Sequence, residues 1–595
     1  MKIKILQFIY KVGQLVLSEL PFILIFTFCL VPTTLKDTIF NSLERSESYK
    51  YYAITLLIAI IFSFIGHKVK SMKITFYILG LLLFATYMVL WLVFGQCISP
   101  RIMLLISETN KKEASECITT FLFNSKAIIA YLSTIIILIG IFLLECLWSK
   151  KVRNKLIYNN ISTTPPILCL GILTIIILSL GIYQMKFYLN IAQYKVLTDL
   201  DKFSQTNRNF PMDAITSIFY SYKSCRLAAK DIETAIDNAH SINKQNITDY
   251  FTKNNKDSIN IIYILGESYI KHHASIYGYN LPTTPFMKSE KEKGQLIAFT
   301  DVVAPFNLTT FVQKNTFCCN SIADGEKWYE TPFFPILFKK NNYNVTFWDN
   351  QAEYHTAEFY NFSVNSFFYN KEIRKLSYSA LSEKTLNYDG QLVDDFIQKQ
   401  GNKAKRKNFI MFHFIGQHYN FYERYPHTKE YNKFSAKDIK RKEKYLTNSK
   451  KQEIAEYDNA TYYNDCVIKK IATYYANKPT IMIYLSDHGE EVYDYRDSKG
   501  RIKCNGDVKN YLKYQYEIPF VIWFSKSYMK RYPEIVKAVK AAKDKPFMTD
   551  NVCQILFHIV GMRSKWYKAD RDLLSKKYKP RKRILNGYDY DKYCK

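Results

Sequence analysis

The 595-residue sequence carries no internal repeat and no long low-complexity tract, which excludes solenoid and fibrous architectures. None of its 12 cysteines stands at Cys-x-x-Cys spacing, so zinc-finger and zinc-ribbon frameworks are excluded as well. Acidic residues are scarce beside basic ones, 53 against 82, for a formal net charge of +29. No nucleic-acid motif accompanies that charge, and no nucleic-acid partner is expected. Two readings of the charge stay open. A surface of anionic lipid or phosphorylated glycolipid attracts such a chain, or a composition rich in Lys, Asn, Tyr and Ile simply runs basic.

What the chain has instead is long apolar runs, at about 14–34, 51–67, 74–95, 122–148 and 166–187. Each approaches the ~20 residues that cross ~30 Å of hydrocarbon, so five transmembrane helices are expected. Lys2, Lys4 and Lys11 precede the first run as in a signal peptide. Its length, Glu19, Pro21 and the four runs behind it predict that it is retained. Lys68, Lys70 and Lys73 between runs two and three, with Lys150, Lys151, Arg153 and Lys155 between runs four and five, mark the cytoplasmic side. The loops 35–50 and 96–121 mix both signs. The amino terminus is therefore expected in the cytoplasm and everything after about residue 188 outside.

The expected organisation is a five-helix transmembrane domain over 1–188, bridging helices and linker at the membrane surface over 189–256, and an outer domain over 257–595. Candidate strands in the outer domain lie at 259–265, 296–303, 344–348, 408–415, 480–486 and 519–524, with helical stretches between them such as 453–476. That alternation predicts an α/β domain with a mostly parallel central sheet. Cys97 and Cys117 share one external loop and could pair, while the outer domain holds an odd number of cysteines. Cys466 and Cys553 read as small buried apolar residues.

Two of these strands carry the chemistry. Ile261–Ser268 and Ile481–Glu490 are apolar, β-prone runs that each stop at metal-ligating side chains, Glu267 after the first and Asp487 and His488 after the second. Carboxylate oxygens and an imidazole nitrogen at the carboxyl ends of strands suit a zinc ion in an α/β enzyme.

The residues around these segments resemble a known family. Gly266-Glu-Ser running to His273-Ala-Ser-Ile-Tyr-Gly278-Tyr and Pro285, His413-Phe-Ile-Gly-Gln-His418 running to Arg424-Tyr-Pro426, and Ser486-Asp-His-Gly-Glu490 are similar to the membrane phosphoethanolamine transferases of Gram-negative bacteria. Those enzymes belong to the alkaline phosphatase and sulfatase superfamily, and their five helices followed by a periplasmic catalytic domain match the whole chain. The resemblance implies a multi-pass protein of the bacterial inner membrane with its catalytic domain in the periplasm. It implies transfer of phosphoethanolamine from phosphatidylethanolamine to an anionic glycolipid acceptor, in lipid A or the lipopolysaccharide core, through a covalent threonine intermediate.

Residue by residue, the family's nucleophile falls on Thr309, counted from Val302, with Thr310 as its neighbour and rival. A Thr hydroxyl needs a metal or a base to act as a nucleophile. Glu267, Thr309, Asp487 and His488 become the four ligands of one zinc. Thr309 could equally cap a helix, a role compatible with catalysis because helix amino termini favour phosphate. His418 matches a histidine that binds the phosphoryl group or protonates a leaving oxygen, although a lone His after a strand is often structural. His413, within the strand, reads as buried and hydrogen-bonded. Asp349 and Asn350, in Phe347-Trp-Asp-Asn-Gln351, are candidates for contact with ethanolamine or acceptor, as are Lys271 and His273 for substrate. Asp458 reads as structural.

The sequence departs from the family in one respect. Residues 489–557 contain no histidine, where the family places one that holds phosphate or a second zinc. Either a cation, Lys503 or Arg501, holds the phosphate, or Asn505 takes the place of the histidine, and one zinc is expected rather than two. The family's usual Arg after Gly-Glu-Ser is Lys271, which keeps the charge and loses the bidentate fork. A phosphoglycerol transferase, a membrane phosphodiesterase or a sulfatase-like hydrolase is the alternative on the same scaffold, and no Cys-x-Pro-x-Arg sulfatase motif is present.

Overall fold

The computed structural model describes residues 2–30, 49–94, 125–158, 165–195, 200, 214–245, 258–351, 370–403, 405–501 and 504–595. Cys97, Cys117 and Lys503 lie outside them. The chain forms two compact units, Met1–Ala229 and Lys230–Lys595, so the division falls within the helix Ala214–Lys244.

The first unit is made of apolar helices: Lys2–Ser18, Leu20–Leu30, Tyr49–Lys68, Lys70–Phe94, Ser125–Tyr158 and Pro165–Gln193. Among the described residues, Lys70–Leu90 and Ala127–Trp148 are long and apolar enough to cross a membrane. The pair Lys4–Ser18 and Leu20–Leu30 makes a third if counted as one span, and Thr55–Lys68 and Pro166–Leu180 are shorter apolar helices. That pair is bent by 67°, where a single span over about 14–34 is expected from the sequence. The bend falls at Glu19, two residues before Pro21, whose ring supplies no N–H to the helix. Buried Glu19 lies 2.8 Å from both His67 Nδ1 and Lys73 Nζ, the pairing that a carboxylate among apolar helices requires.

The second unit is an α/β fold around a seven-stranded sheet. In chain order the strands are β1 Ile259–Gly266, β2 Leu296–Ala298, β3 Asn344–Asp349, β4 Ala380–Leu381, β5 Lys407–His413, β6 Thr480–Ser486 and β7 Phe520–Phe524, arranged in space as 2-7-6-1-5-3-4. β1 pairs in parallel with β5 and β6, and β3 in parallel with β4 and β5, while β7 runs antiparallel to β6 and β2. Strands buried on both faces are apolar along nearly their whole length, and β1 is so beyond Asn260: Ile261, Tyr263 and Leu265 join one core, Ile262 and Ile264 the other. The expected strand over 296–303 is divided. Its first part is the edge strand β2, and Val302–Val303 leaves the sheet to pair with Phe547–Met548.

The helix Ala214–Lys244 enters this unit through Ile232, Ala235, Ala239 and Ile242, which pack into the first core. Lys340 Nζ closes its carboxyl end, donating to the carbonyls of Ile242, Asn243 and Gln245 at 3.1, 2.7 and 2.8 Å, groups a helix end otherwise leaves unpaired.

Candidate metal and nucleophile centre

The register of two neighbouring strands builds the centre. Gly266 at the end of β1 faces Ser486 at the end of β6, so the next residue of each, Glu267 and Asp487, emerges side by side at the carboxyl edge of the sheet. Gly266 is required there, because a Cβ would lie 2.3 Å from the Tyr484 hydroxyl. The chain then turns sharply through Ser268, whose φ of 56° is unusual for a residue with a side chain. Ser268 N donates to Asp487 Oδ1 at 3.0 Å and Ser268 Oγ to Glu267 Oε1 at 2.8 Å. Gly416, at φ 50°, lets the loop after β5 close over this turn, since a Cβ there would stand 2.7 Å from Glu267 O.

Glu267, Asp487 and His488 are fully buried and each offers one ligand atom within 4.8 Å of the others. Thr309, first residue of the helix Thr309–Thr316, brings Oγ1 to 3.1 and 3.3 Å from the Glu267 carboxylate oxygens and 3.2 Å from His488 Nε2. The donor set fits a zinc ion on several counts. Asp487 Oδ1 is occupied by the N–H groups of Ser268 and His488, while its buried Oδ2 accepts no hydrogen bond and lies 3.0 Å from His488 Nε2, the other prospective ligand atom. His488 Nδ1 lies 2.9 Å from Gly489 O and donates to it, which leaves the Nε2 lone pair for a cation. Two carboxylates, an imidazole and a hydroxyl make the mixed O/N set of a four-coordinate site.

Charge is concentrated here. Burial opposes ionisation of Glu267, but His488, His418 and Arg501 outweigh it and hold its pKa well below the usual carboxylate range. Burial and the Glu267 charge together raise Asp487. His488 is pushed up to about 9, burial and Arg501 opposing and the two carboxylates prevailing. His418 goes the other way, to about 4, because burial and the cations of Arg424 and Arg501 exceed the pull of Glu267. It is therefore neutral at physiological pH. Its Nδ1 donates to Tyr419 O at 2.7 Å, so Nε2 keeps its lone pair.

The remaining expected residues are placed as follows. Arg501 reaches the centre: Nη1 contacts His488 Nε2 and lies 3.9 Å from Glu267 Oε1, and Nε lies 3.2 Å from buried Glu490. Asn505 is exposed. Lys271 is drawn to Glu517 Oε2 at 2.7 Å and to Thr300 O, and His273 is locked between Asp458 and Asp494, so neither is gathered at the centre. Asp349 and Asn350 are buried in the frame: Asp349 pairs with His413 Nδ1 at 2.9 Å, and Asn350 joins Asp389 to Leu386 N. Gln351, one residue further, is the side chain of that segment at the site, donating to Glu267 Oε2 at 3.2 Å and Phe414 O at 2.7 Å. Sequence reasoning missed Gln351 as a site residue; its adjacency to Asp349-Asn350 was the available signal.

Comparison with known proteins agrees with this architecture. The sulfatase family model matches residues 259–552. Over 543 residues the chain is 23% identical to phosphoethanolamine transferase EptC of Escherichia coli K12, covering 88% of this chain and 87% of that protein. It is 24% identical over 301 residues to the Kdo(2)-lipid A phosphoethanolamine 7''-transferase of Salmonella typhimurium, half of each chain. The fold of the integral membrane lipooligosaccharide phosphoethanolamine transferase A from Neisseria meningitidis superposes with a TM-score of 0.59 at 14% identity, over 95% of this chain and 99% of that one. Residues 259–552 thus form a sulfatase-family domain, in a chain similar over most of its length to the phosphoethanolamine transferases.

Proposed function

We propose that this protein is a zinc-dependent transferase that moves phosphoethanolamine from phosphatidylethanolamine to a lipid A or lipopolysaccharide core acceptor. The observation that carries the reading is the convergence of Thr309 with Glu267, Asp487 and His488 at the ends of two adjacent parallel strands. A threonine hydroxyl among metal ligands is the arrangement that covalent phosphoryl transfer requires, and simple binding of an anionic lipid gives it no purpose. The similarity to phosphoethanolamine transferases along most of the chain supplies the transferred group.

Glu267, Asp487, His488 and Thr309 would hold the zinc, which when bound would acidify the Thr309 hydroxyl and draw charge from the phosphoryl oxygens. In the first half-reaction Thr309 Oγ bonds to phosphorus, the bond to the diacylglycerol oxygen breaks, and the threonine proton ends on diacylglycerol. In the second, an acceptor oxygen takes the phosphoryl group and its proton returns to Thr309. Neutral His418, with an available Nε2, is assigned to carry the proton between these oxygens. Arg501 is assigned to the phosphoryl oxygens as the cation standing where the family has histidine, and the amino terminus of the helix Thr309–Thr316 adds its dipole. The reading includes five spans, a cytoplasmic amino terminus, a periplasmic outer domain, and the division at 1–188, 189–256 and 257–595.

Mass spectrometry of envelope glycolipids from cells with and without this protein tests the function. A gain of one phosphoethanolamine unit on a lipid A or core species is expected. Identical spectra, with the protein expressed and zinc-loaded, would refute it.

A further inference from the structure

A second line of buried polar side chains leads to the loop that carries Thr309. Asn307, two residues before Thr309, is 6% exposed and donates from Nδ2 to Gln515 Oε1 at 2.5 Å. Gln515 is fully buried, and its Nε2 donates to Glu491 Oε1 at 2.6 Å. Its main-chain carbonyl accepts from Gly489 N at 3.0 Å, one residue beyond His488. Glu491 is fixed in turn by Arg496 Nε, 2.7 Å from Oε2, and by the Tyr495 hydroxyl at 3.0 Å. The amide has one orientation open to it. An ionised carboxylate only accepts, so Glu491 takes Nε2 and leaves Oε1 to face Asn307. Gly489 permits the approach, since a Cβ there would lie 2.6 Å from Tyr514 O.

We propose that Gln515 is a positioning residue for the Thr309 nucleophile. It ties the loop that delivers Thr309 to the segment that follows Asp487 and His488, two stretches of chain nearly two hundred residues apart. Which reaction it serves rests on the transfer reading above; the geometric claim does not. Thr309 Oγ1 stands 3.2 Å from His488 Nε2, and a shift of about 1 Å in such an alignment costs on the order of 10²-fold in rate. Only an amide serves at position 515. A carboxylate would face the Glu491 carboxylate, and an apolar side chain would fill the space while leaving the buried Asn307 amide without its partner and Glu491 held by Arg496 and Tyr495 alone.

The test uses the full chain in detergent, loaded with zinc, with Gln515→Met and Asn307→Ala singly and combined. Gln515→Met should lower kcat about 10- to 100-fold with KM for phosphatidylethanolamine within about twofold. Bound zinc should stay near wild type, and the thermal midpoint should fall by no more than a few degrees, the cost of one unpaired buried amide. The double variant should be no slower than Gln515→Met, because that variant already removes the hydrogen bond Asn307→Ala deletes. An unchanged kcat would overturn the proposal. So would loss of zinc or of cooperative unfolding in both single variants, which would make the network merely structural. If wild type releases no diacylglycerol, the transfer reading fails separately, and the crystal structure of Gln515→Met decides the positioning claim. A lengthened distance from Thr309 Oγ1 to His488 Nε2 supports it, and an unchanged one overturns it.

Discussion

Two buried clusters in the outer unit are each built from one histidine and two carboxylates. In one, His273 has both ring nitrogens engaged, Nδ1 with Asp458 at 2.6 Å and Nε2 with Asp494 at 3.0 Å. The second oxygens are occupied too, Asp458 Oδ2 by the Tyr279 hydroxyl and Asp494 Oδ2 by Val492 N. In the other, Glu267, Asp487 and His488 leave Asp487 Oδ2 without a hydrogen bond and admit the Thr309 hydroxyl. The functional groups are the same; satisfaction differs. A cluster whose donors and acceptors balance holds loops together, and one with surplus acceptors facing a nucleophile has room for a cation and chemistry.

The sharpest way to break this comparison is to remove the hydroxyl that distinguishes the second cluster. Thr309→Ala should abolish turnover and covalent adduct, a loss of several orders of magnitude as for any deleted covalent catalyst. Zinc should remain, because three protein ligands and water still satisfy a four-coordinate site. Thr310→Ala should keep most activity. Peptide mass spectrometry after incubation with phosphatidylethanolamine reads the outcome, and an adduct on Thr310, or on no threonine between 299 and 316, would move the chemistry elsewhere.

Next in size is a matched pair of carboxylate deletions. Asp487→Ala should lower bound zinc and abolish activity at a smaller cost in stability, since the protein-side loss is the Oδ1 to which Ser268 N and His488 N donate. Asp458→Ala should do the reverse. It leaves the His273 imidazolium short of a counterion in the interior, a change worth about 3–5 kcal/mol of destabilisation, with zinc stoichiometry intact in whatever protein folds. Metal analysis beside thermal unfolding of both variants separates the two roles. Full zinc occupancy in Asp487→Ala would remove that residue from the ligand set.

What the sequence made legible follows from how local the signals are. Apolar runs ending in Glu267 and in Asp487-His488 announced both strands and the meeting of their end residues, because strand ends in a parallel sheet are where ligands collect. Asp349 and Asn350 were harder. Adjacent residues on a strand point to opposite faces, and whether such a side chain meets the cleft or the frame depends on neighbours distant in sequence, here His413 and Asp389. Gln515 and Asn307 were illegible for the same reason, since their meeting requires β6, β7 and the nucleophile loop to be assembled. The split of 296–303 between two sheets was hidden because β-prone residues do not name their partners.

The smallest effect belongs to the satisfied cluster, and pH exposes it. Burial disfavours a charged His273, yet Asp458 and Asp494 outweigh it and raise the pKa from 6.5 to about 10. A histidine whose folded pKa lies above its unfolded value adds stability that is fully present below the unfolded pKa. That stability is lost as pH rises through the folded one, so the window here runs from about 6.5 to about 10. The other groups facing the ring are Tyr279, stacked at 4.6 Å, and Tyr457 at 5.2 Å, with Arg441 close enough to act on Asp494 and Tyr279. Both tyrosines are held protonated in this range, Tyr279 by burial and the Asp458 charge, so they add no titration of their own. Thermal midpoints of the full chain in detergent, measured from pH 6 to 10, should fall by several degrees more in wild type than in His273→Gln. The variant starts lower, because its two carboxylates lose their cation, but it has no proton left to lose in this interval. Parallel alkaline slopes in the two proteins would show that His273 is neutral in the folded chain and that the two clusters differ less than their hydrogen bonds suggest.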